Sequence, residues 1–221
     1  MEYGWIRLLF NFLLAAILFV AIAYLFTSPI KSFVRNRKYR QILTAVHTCF
    51  QDVDAFSISK NARSNSVSED LYYGEVNLCA LLDLMALVKP KPQEVFYDLG
   101  AGCGKTMMAV KLKYPFLQVK GIELIEDLYT IAVQKLPLDF TLICGDYLNQ
   151  NFLDADILFI NATGFSCATW DKLVTTLMQL KSGTRIILTS KTLPCPPFVK
   201  KTQGLERMSW GYASTTIYEK S

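Results

Sequence analysis

The chain has 221 residues and a mass of 25.0 kDa, enough for one domain plus an appendage. Its composition is 52% hydrophobic and 19% charged, too apolar for a disordered chain. One histidine, His47, and six cysteines with no CxxC pair exclude a His-rich or sequence-local metal site, and the scattered thiols read as free cysteines of a reducing compartment.

Residues 8–26 form an apolar run interrupted only by Asn11, with Trp5 and Tyr24 near its two ends. Nineteen residues at about 1.5 Å each span most of a ~30 Å hydrocarbon core. The run is followed by Lys31, Arg35, Arg37, Lys38 and Arg40 with no acidic residue among them. By the positive-inside rule this predicts a single-pass anchor, with the rest of the chain on the cytoplasmic side. A cleaved signal peptide fits less well, because the positive cluster lies after the apolar run. Residues 41–221 hold 17 basic against 18 acidic side chains. The basicity is therefore a juxtamembrane patch suited to anionic lipid, and no direct nucleic-acid binding is expected of the main domain. The expected organisation is an anchor over 1–30, a basic segment, helix and polar loop over 31–70, and a catalytic domain over 71–221.

Apolar spacing predicts a helix over 39–56, a serine-rich loop over 57–70 and a helix over 75–88 that ends before Pro90. Strand and helix signals then alternate: strand 94–99, helix 105–113, strand 119–123, helix 126–135, strands 140–144 and 157–161, helix 170–180 and strand 185–190. Gly183 is a C-cap candidate for the last of these helices, and short strands are expected around Trp210 and over 216–218. This pattern predicts an α/β fold with a doubly wound, mostly parallel, seven-stranded sheet covered by helices on both faces.

The chemistry-bearing segment is VFYDLGAGCGKT, residues 95–106. A strand ends in Asp98, a turn supplies Gly100, Gly102 and Gly104, and a helix begins, so backbone N–H groups can approach a ligand. A Walker A loop needs glycine where Leu99 stands. A G-x-G-x-x-G dinucleotide turn needs glycine at Lys105. A doubly wound domain with ordinary turn residues is the plainest alternative. What sets the segment apart is an acidic residue ending successive strands: Asp98, then Glu123 in GIE, then Asp146 in GDY.

The segment closely resembles the S-adenosylmethionine site of class I methyltransferases. There an acid at the first strand end meets the cationic ammonium, a second accepts the ribose hydroxyls, and a third with a neighbouring aromatic holds adenine. The chain further resembles the disruptor-of-telomeric-silencing family of non-SET histone lysine methyltransferases. The resemblance runs through Leu71–Glu75 (LYYGE), residues 140–148 (FTLICGDYL), 157–165 (ILFINATGF), 177–191 and the pair Ser209-Trp210. It implies that Glu75, Asp98, Gly100, Gly102, Gly104, Glu123, Asp146 and Tyr147 bind S-adenosylmethionine. It also implies that Tyr73 closes over the cofactor, Asn161 faces the methyl group, and Trp210 walls a channel for a substrate protein's acceptor lysine. The second asparagine and the phenylalanine of the family's N-N-F motif are Ala162 and Thr163 here, and Lys105 replaces its glutamine. Methylation of a lipid or small amphiphile, and a non-catalytic cofactor-binding membrane module, are the competing functional readings.

Overall fold

The computed structural model of the chain describes residues 6, 9–18, 33–64 and 72–221. The chain divides into two compact units, Met1–Gln41 and Ile42–Ser221. In the first, residues 9–18 are helical, as are residues 33–38. Among the described residues no helix is long and apolar enough to cross a membrane. Residue 8 and residues 19–26 of the expected span lie outside the described residues. The single-pass anchor is therefore not supported.

The elements are α1 (Arg40–Phe50), α2 (Ala55–Ser64), α3 (Leu78–Val88), β1 (Val95–Leu99), α4 (Lys105–Lys113), β2 (Gln118–Glu123), α5 (Glu126–Lys135), β3 (Thr141–Cys144), β4 (Ile157–Asn161), α6 (Cys167–Leu177), β5 (Arg185–Thr189), β6 (Phe198–Met208) and β7 (Gly211–Lys220). One seven-stranded sheet has the order β3-β2-β1-β4-β5-β7-β6. The first five strands are parallel, while β7 runs antiparallel to both β5 and β6. The sheet is thus mixed where a mostly parallel one was expected. The cause is local: only Ser209 and Trp210 separate β6 from β7, and a two-residue connection can join only antiparallel neighbours.

Burial explains the strands. Phe96, Tyr97, Asp98 and Leu99 of β1 are buried on both faces, as central parallel strands require. Phe96, Ile157 and Phe159 pack with α1, α3, α4 and α5 in one core; Tyr97, Leu99, Leu158 and Ile160 pack with α6 in the other. Trp170 of α6 is partly buried against this second core, the packing role its helical position suggests. The helices are closed by their own side chains: Asn77 accepts from the Ala80 N–H, and Ser166 from the Thr169 N–H.

Several sequence expectations differ in shape: the helix expected over 39–56 ends at Phe50, the one expected over 75–88 starts at Leu78, and α6 ends at Leu177 with Met178, not Gly183, as its C-cap. The serine-rich stretch expected as a loop over 57–70 is helical as far as Ser64, within α2, whose Ser59 is fully buried. The short strands expected near the C-terminal end are a hairpin of 11- and 10-residue strands, bulged between Lys200 and Thr202.

Candidate cofactor and acceptor site

The chain order β1-β2-β3 moves outward from β1, and the next strand, β4, returns to its other side. This reversal leaves a crevice beyond the carboxyl ends of β1 and β4, where open α/β sheets bind ligands. Asp98 and Gly100 stand at the end of β1, Glu123 ends β2, Asp146 follows β3, and Asn161 ends β4.

The glycine turn is held from below. Gly100 and Ala101 both donate to the Ile122 carbonyl, at 2.9 and 3.0 Å, and Gly100 has φ +85°. Gly102 has φ +57°, and a Cβ there would lie 2.7 Å from the Tyr73 ring. That position needs glycine for both backbone and space. Glu123 receives the Gly102 N–H on one carboxylate oxygen and the Ile125 N–H on the other, each at 2.7 Å. It therefore joins the glycine turn to the β2–α5 turn and retains lone pairs for a ligand's hydroxyls.

Asp98 is buried and accepts a hydrogen bond from the Thr106 hydroxyl. Burial pushes its carboxyl up to about 7, the Thr106 bond opposes the rise, and the nearby Glu123 adds repulsion. Burial raises Glu123 as well, against the pull of its backbone donors. Burial likewise raises the Cys103 thiol, outweighing the pull of the Tyr73 bond and of Lys105 at the start of α4, so the glycine-turn cysteine stays protonated. Asp146 accepts from the Leu148 N–H at 2.8 Å, and Tyr147 stacks on Phe165 with ring centroids 5.4 Å apart.

A strap, residues 72–77, crosses the crevice. Tyr73 N–H donates to the Ser59 hydroxyl at 3.1 Å, and the Tyr73 ring meets Phe56 edge-on. Its phenol donates to Glu75 at 3.1 Å. Burial, then the neighbouring Cys103 and Glu75, drives the phenol far above its ordinary range, so it stays neutral and is no general base. Glu75 also ion-pairs Lys105 at 2.5 Å. Both side chains are partly exposed, so the pair contributes under about 1 kcal/mol. The strap is pinned to the hairpin turn by two bonds: Glu75 N–H to the Ser209 hydroxyl at 3.0 Å, and Ser209 N–H to the Glu75 carbonyl at 3.1 Å. Trp210, from that same turn, lies over Gly74.

Three lobes result. One is lined by Glu123, Ile125, Leu128, Asp146, Tyr147 and Phe165. The next is lined by Glu75, Asp98, Ala101, Lys105 and Thr106. The third, about 480 Å³, is a channel walled by Tyr72, Tyr73, Thr163, Phe165 and Trp210. Tyr73, Gly74 and Asn161 line all three. The geometry thus brings Tyr73, Glu75, Asp98, Gly100, Glu123, Asp146, Tyr147, Asn161 and Trp210 around one crevice. Gly102 and Gly104 form its floor and the start of α4, outside the lobes' lining. Sequence reasoning missed Ser59, Thr106 and Thr189, and singled out Ser209 only as part of the Ser209-Trp210 resemblance. Only Thr106, one turn into the helix after the strand-end acid, had a local signal.

Residues 55–140 match the family model of histone methylation protein DOT1. The chain resembles the DOT1 histone methylation proteins. A histone-lysine N-methyltransferase specific for H3 lysine 79 from Candida albicans is 27% identical over 71% of this chain, and one from Caenorhabditis elegans is 32% identical over 54%. The chain spans 13% and 15% of the length of these relatives. Two solved structures share the methyltransferase fold. Magnesium protoporphyrin IX methyltransferase from Synechocystis, crystallised with bound SAM, has a TM-score of 0.53 and 13% identity over 65% of this chain and 78% of its own. TrmN from Thermus thermophilus has a TM-score of 0.53 and 17% identity over 65% of this chain and 49% of its own. The DOT1 relatives are named as histone H3 enzymes. With no spanning helix among the described residues, this overturns the membrane location expected from the apolar run.

The DOT1 likeness implies S-adenosylmethionine, and the donor set fits it. Asp98 is a buried carboxylate with Glu123 beside it, an arrangement that a ligand cation would relieve. Glu123 offers paired acceptors, and the first lobe combines an acid with an apolar, aromatic wall.

Proposed function

We propose that the chain is an S-adenosylmethionine-dependent protein lysine N-methyltransferase acting on a histone. The observation that carries this reading is the meeting of an acid-lined cofactor crevice with an aromatic channel at Tyr73, Gly74 and Asn161. Asp98 would hold the cofactor's ammonium, Glu123 its ribose and Asp146 its adenine. The N-terminus of α4, with Lys105, favours the carboxylate end. When bound, the cofactor supplies a methyl group on a cationic sulfur.

The protein's part is alignment. A reactive approach needs ~3–3.5 Å between the acceptor nitrogen and the methyl carbon, and a deprotonated amine. Tyr72, Tyr73, Phe165 and Trp210 wall the channel with aromatic surface, and desolvation of a lysine entering between them would lower its pKa. Their ring faces then suit the methylated cation. The neutral Tyr73 phenol leaves proton removal to solvent at the channel mouth.

The test is transfer of tritiated methyl groups from S-adenosylmethionine by the full chain to free histones, nucleosomes and an organic-extractable lipid fraction, with the labelled residue mapped by mass spectrometry. Label on a histone lysine supports the proposal. Label confined to the lipid fraction, or none despite cofactor binding, refutes it.

Cofactor binding should also depend on pH through Asp98. Its native-state pKa is raised above the ordinary carboxylate value, so its contribution to folding stability is full below about pH 4 and is lost as pH rises to about 7. A cationic ligand prefers the ionised form. Affinity should therefore rise with pH and level off above 7, being about tenfold weaker at pH 6 than on the plateau. Calorimetric titration from pH 6 to 8 should show this slope, and Asp98→Asn should bind weakly with the slope gone.

A further inference from the structure

Asn161 is held by more than its place at the end of β4. Its strand register sets it opposite Thr189 of β5, so both side chains leave the same face of the sheet. The Asn161 Nδ2 faces the Gly74 carbonyl at 3.3 Å. A carbonyl oxygen only accepts, so this contact identifies the nitrogen and orients the amide. The opposite end, Oδ1, then receives the Thr189 hydroxyl at 2.7 Å and the Thr163 hydroxyl at 3.1 Å. Thr163 is further linked to the Ser190 hydroxyl at 2.8 Å. Thr189 is fully buried. Neither threonine hydroxyl is accounted for by cofactor binding, and Thr163 stands where the family motif has phenylalanine.

We infer that Thr189, assisted by Thr163, is a positioning residue. Its hydroxyl locks the Asn161 amide so that Nδ2 fixes the Gly74 carbonyl of the strap at the junction of cofactor crevice and channel. The inference rests on the proposed methyltransferase reading for its catalytic consequence, but its structural part does not. If the lock fails, the amide can turn over, presenting its oxygen to the Gly74 carbonyl. Two acceptors then face each other, and the strap loses its tie to β4.

The test compares Thr189→Val, which keeps shape and β-branching but removes the hydroxyl, with Thr189→Ser, which keeps the hydroxyl. Amide hydrogen exchange of the full chain is read over residues 72–77, alongside cofactor affinity and single-turnover methyl transfer. Thr189→Val should raise exchange in the strap about tenfold and lower the transfer rate about tenfold or more. Cofactor affinity should stay within about threefold, and Thr189→Ser should restore both losses. Unchanged strap exchange in Thr189→Val would overturn the inference, as would a loss that serine fails to restore, which would mark simple core packing. A strap that responds as expected in a chain whose wild type transfers no methyl group to histones supports the lock and refutes the enzymatic reading. The two failures are thus distinguishable.

Discussion

Glu123→Ala is expected to weaken S-adenosylmethionine binding by at least about a hundredfold. A buried carboxylate accepting both ribose hydroxyls makes two charge-assisted hydrogen bonds of about 1.5–3 kcal/mol each, so losing both costs two or more orders of magnitude in affinity. The same side chain has a second duty that must be separated from the first. Its oxygens receive the Gly102 and Ile125 N–H groups, and alanine leaves both donors without their partner. Each such donor costs about 1–3 kcal/mol unless water enters, so the ligand-free protein should melt several degrees lower. Glu123→Gln divides the two effects. Its single carboxamide oxygen can serve one N–H, while its NH₂ opposes the other. It should regain part of the stability with little of the affinity. Calorimetric titration with thermal melts of both variants reads the two quantities, and an alanine variant that binds within threefold of wild type would refute the ribose role.

The legibility of this crevice in the sequence follows the range of the forces involved. Asp98, the glycine turn and the start of α4 lie within a dozen residues, and strand, turn and helix signals there are local. The observed α4 and α5 bounds coincide with those expected from spacing, as does β4. The elements misread are those whose shape is set by distant partners. Residues 57–64 look like a loop because serine, asparagine and lysine dominate them. Yet Ser59 is a buried helical residue, because its hydroxyl has the Tyr73 N–H to receive and the Arg63 guanidinium as a further donor. No periodicity reports a bond across 14 residues. The hairpin was underestimated for a similar reason. β6 carries lysines, a glycine and a bulge, and its edge position leaves much of it exposed. Composition there resembles loop, while pairing with β7 makes it strand. The apolar N-terminal run shows the opposite error. Hydropathy alone suggests an anchor there, whereas among the described residues no helix is long and apolar enough to cross a membrane.

The strap was legible only as a resemblance, and its closest contact yields the sharpest steric prediction. A Cβ on Gly74 would lie 2.6 and 2.7 Å from Cε3 and Cζ3 of Trp210, well inside contact distance. Gly74→Ala must therefore displace either the strap or the indole. The strap is tied at Ser59, Ser209 and Asn161, whereas Trp210 occupies a two-residue turn and is 36% exposed. The ring should move, and with it one wall of the channel. The expected result is a fall in kcat/KM for the protein substrate of about a hundredfold, equivalent to roughly 2.7 kcal/mol of lost alignment. Cofactor affinity should change by less than threefold, and the melting temperature by only a few degrees. Trp210→Ala supplies the control, because it removes the obstacle together with the wall. If the glycine is required only to make room for the indole, adding Gly74→Ala to Trp210→Ala should cost almost nothing further, a coupling near the whole single-mutant effect. Additive losses would mean that Gly74 is needed for the strap's own backbone, and the ring's position over it would then be incidental to catalysis.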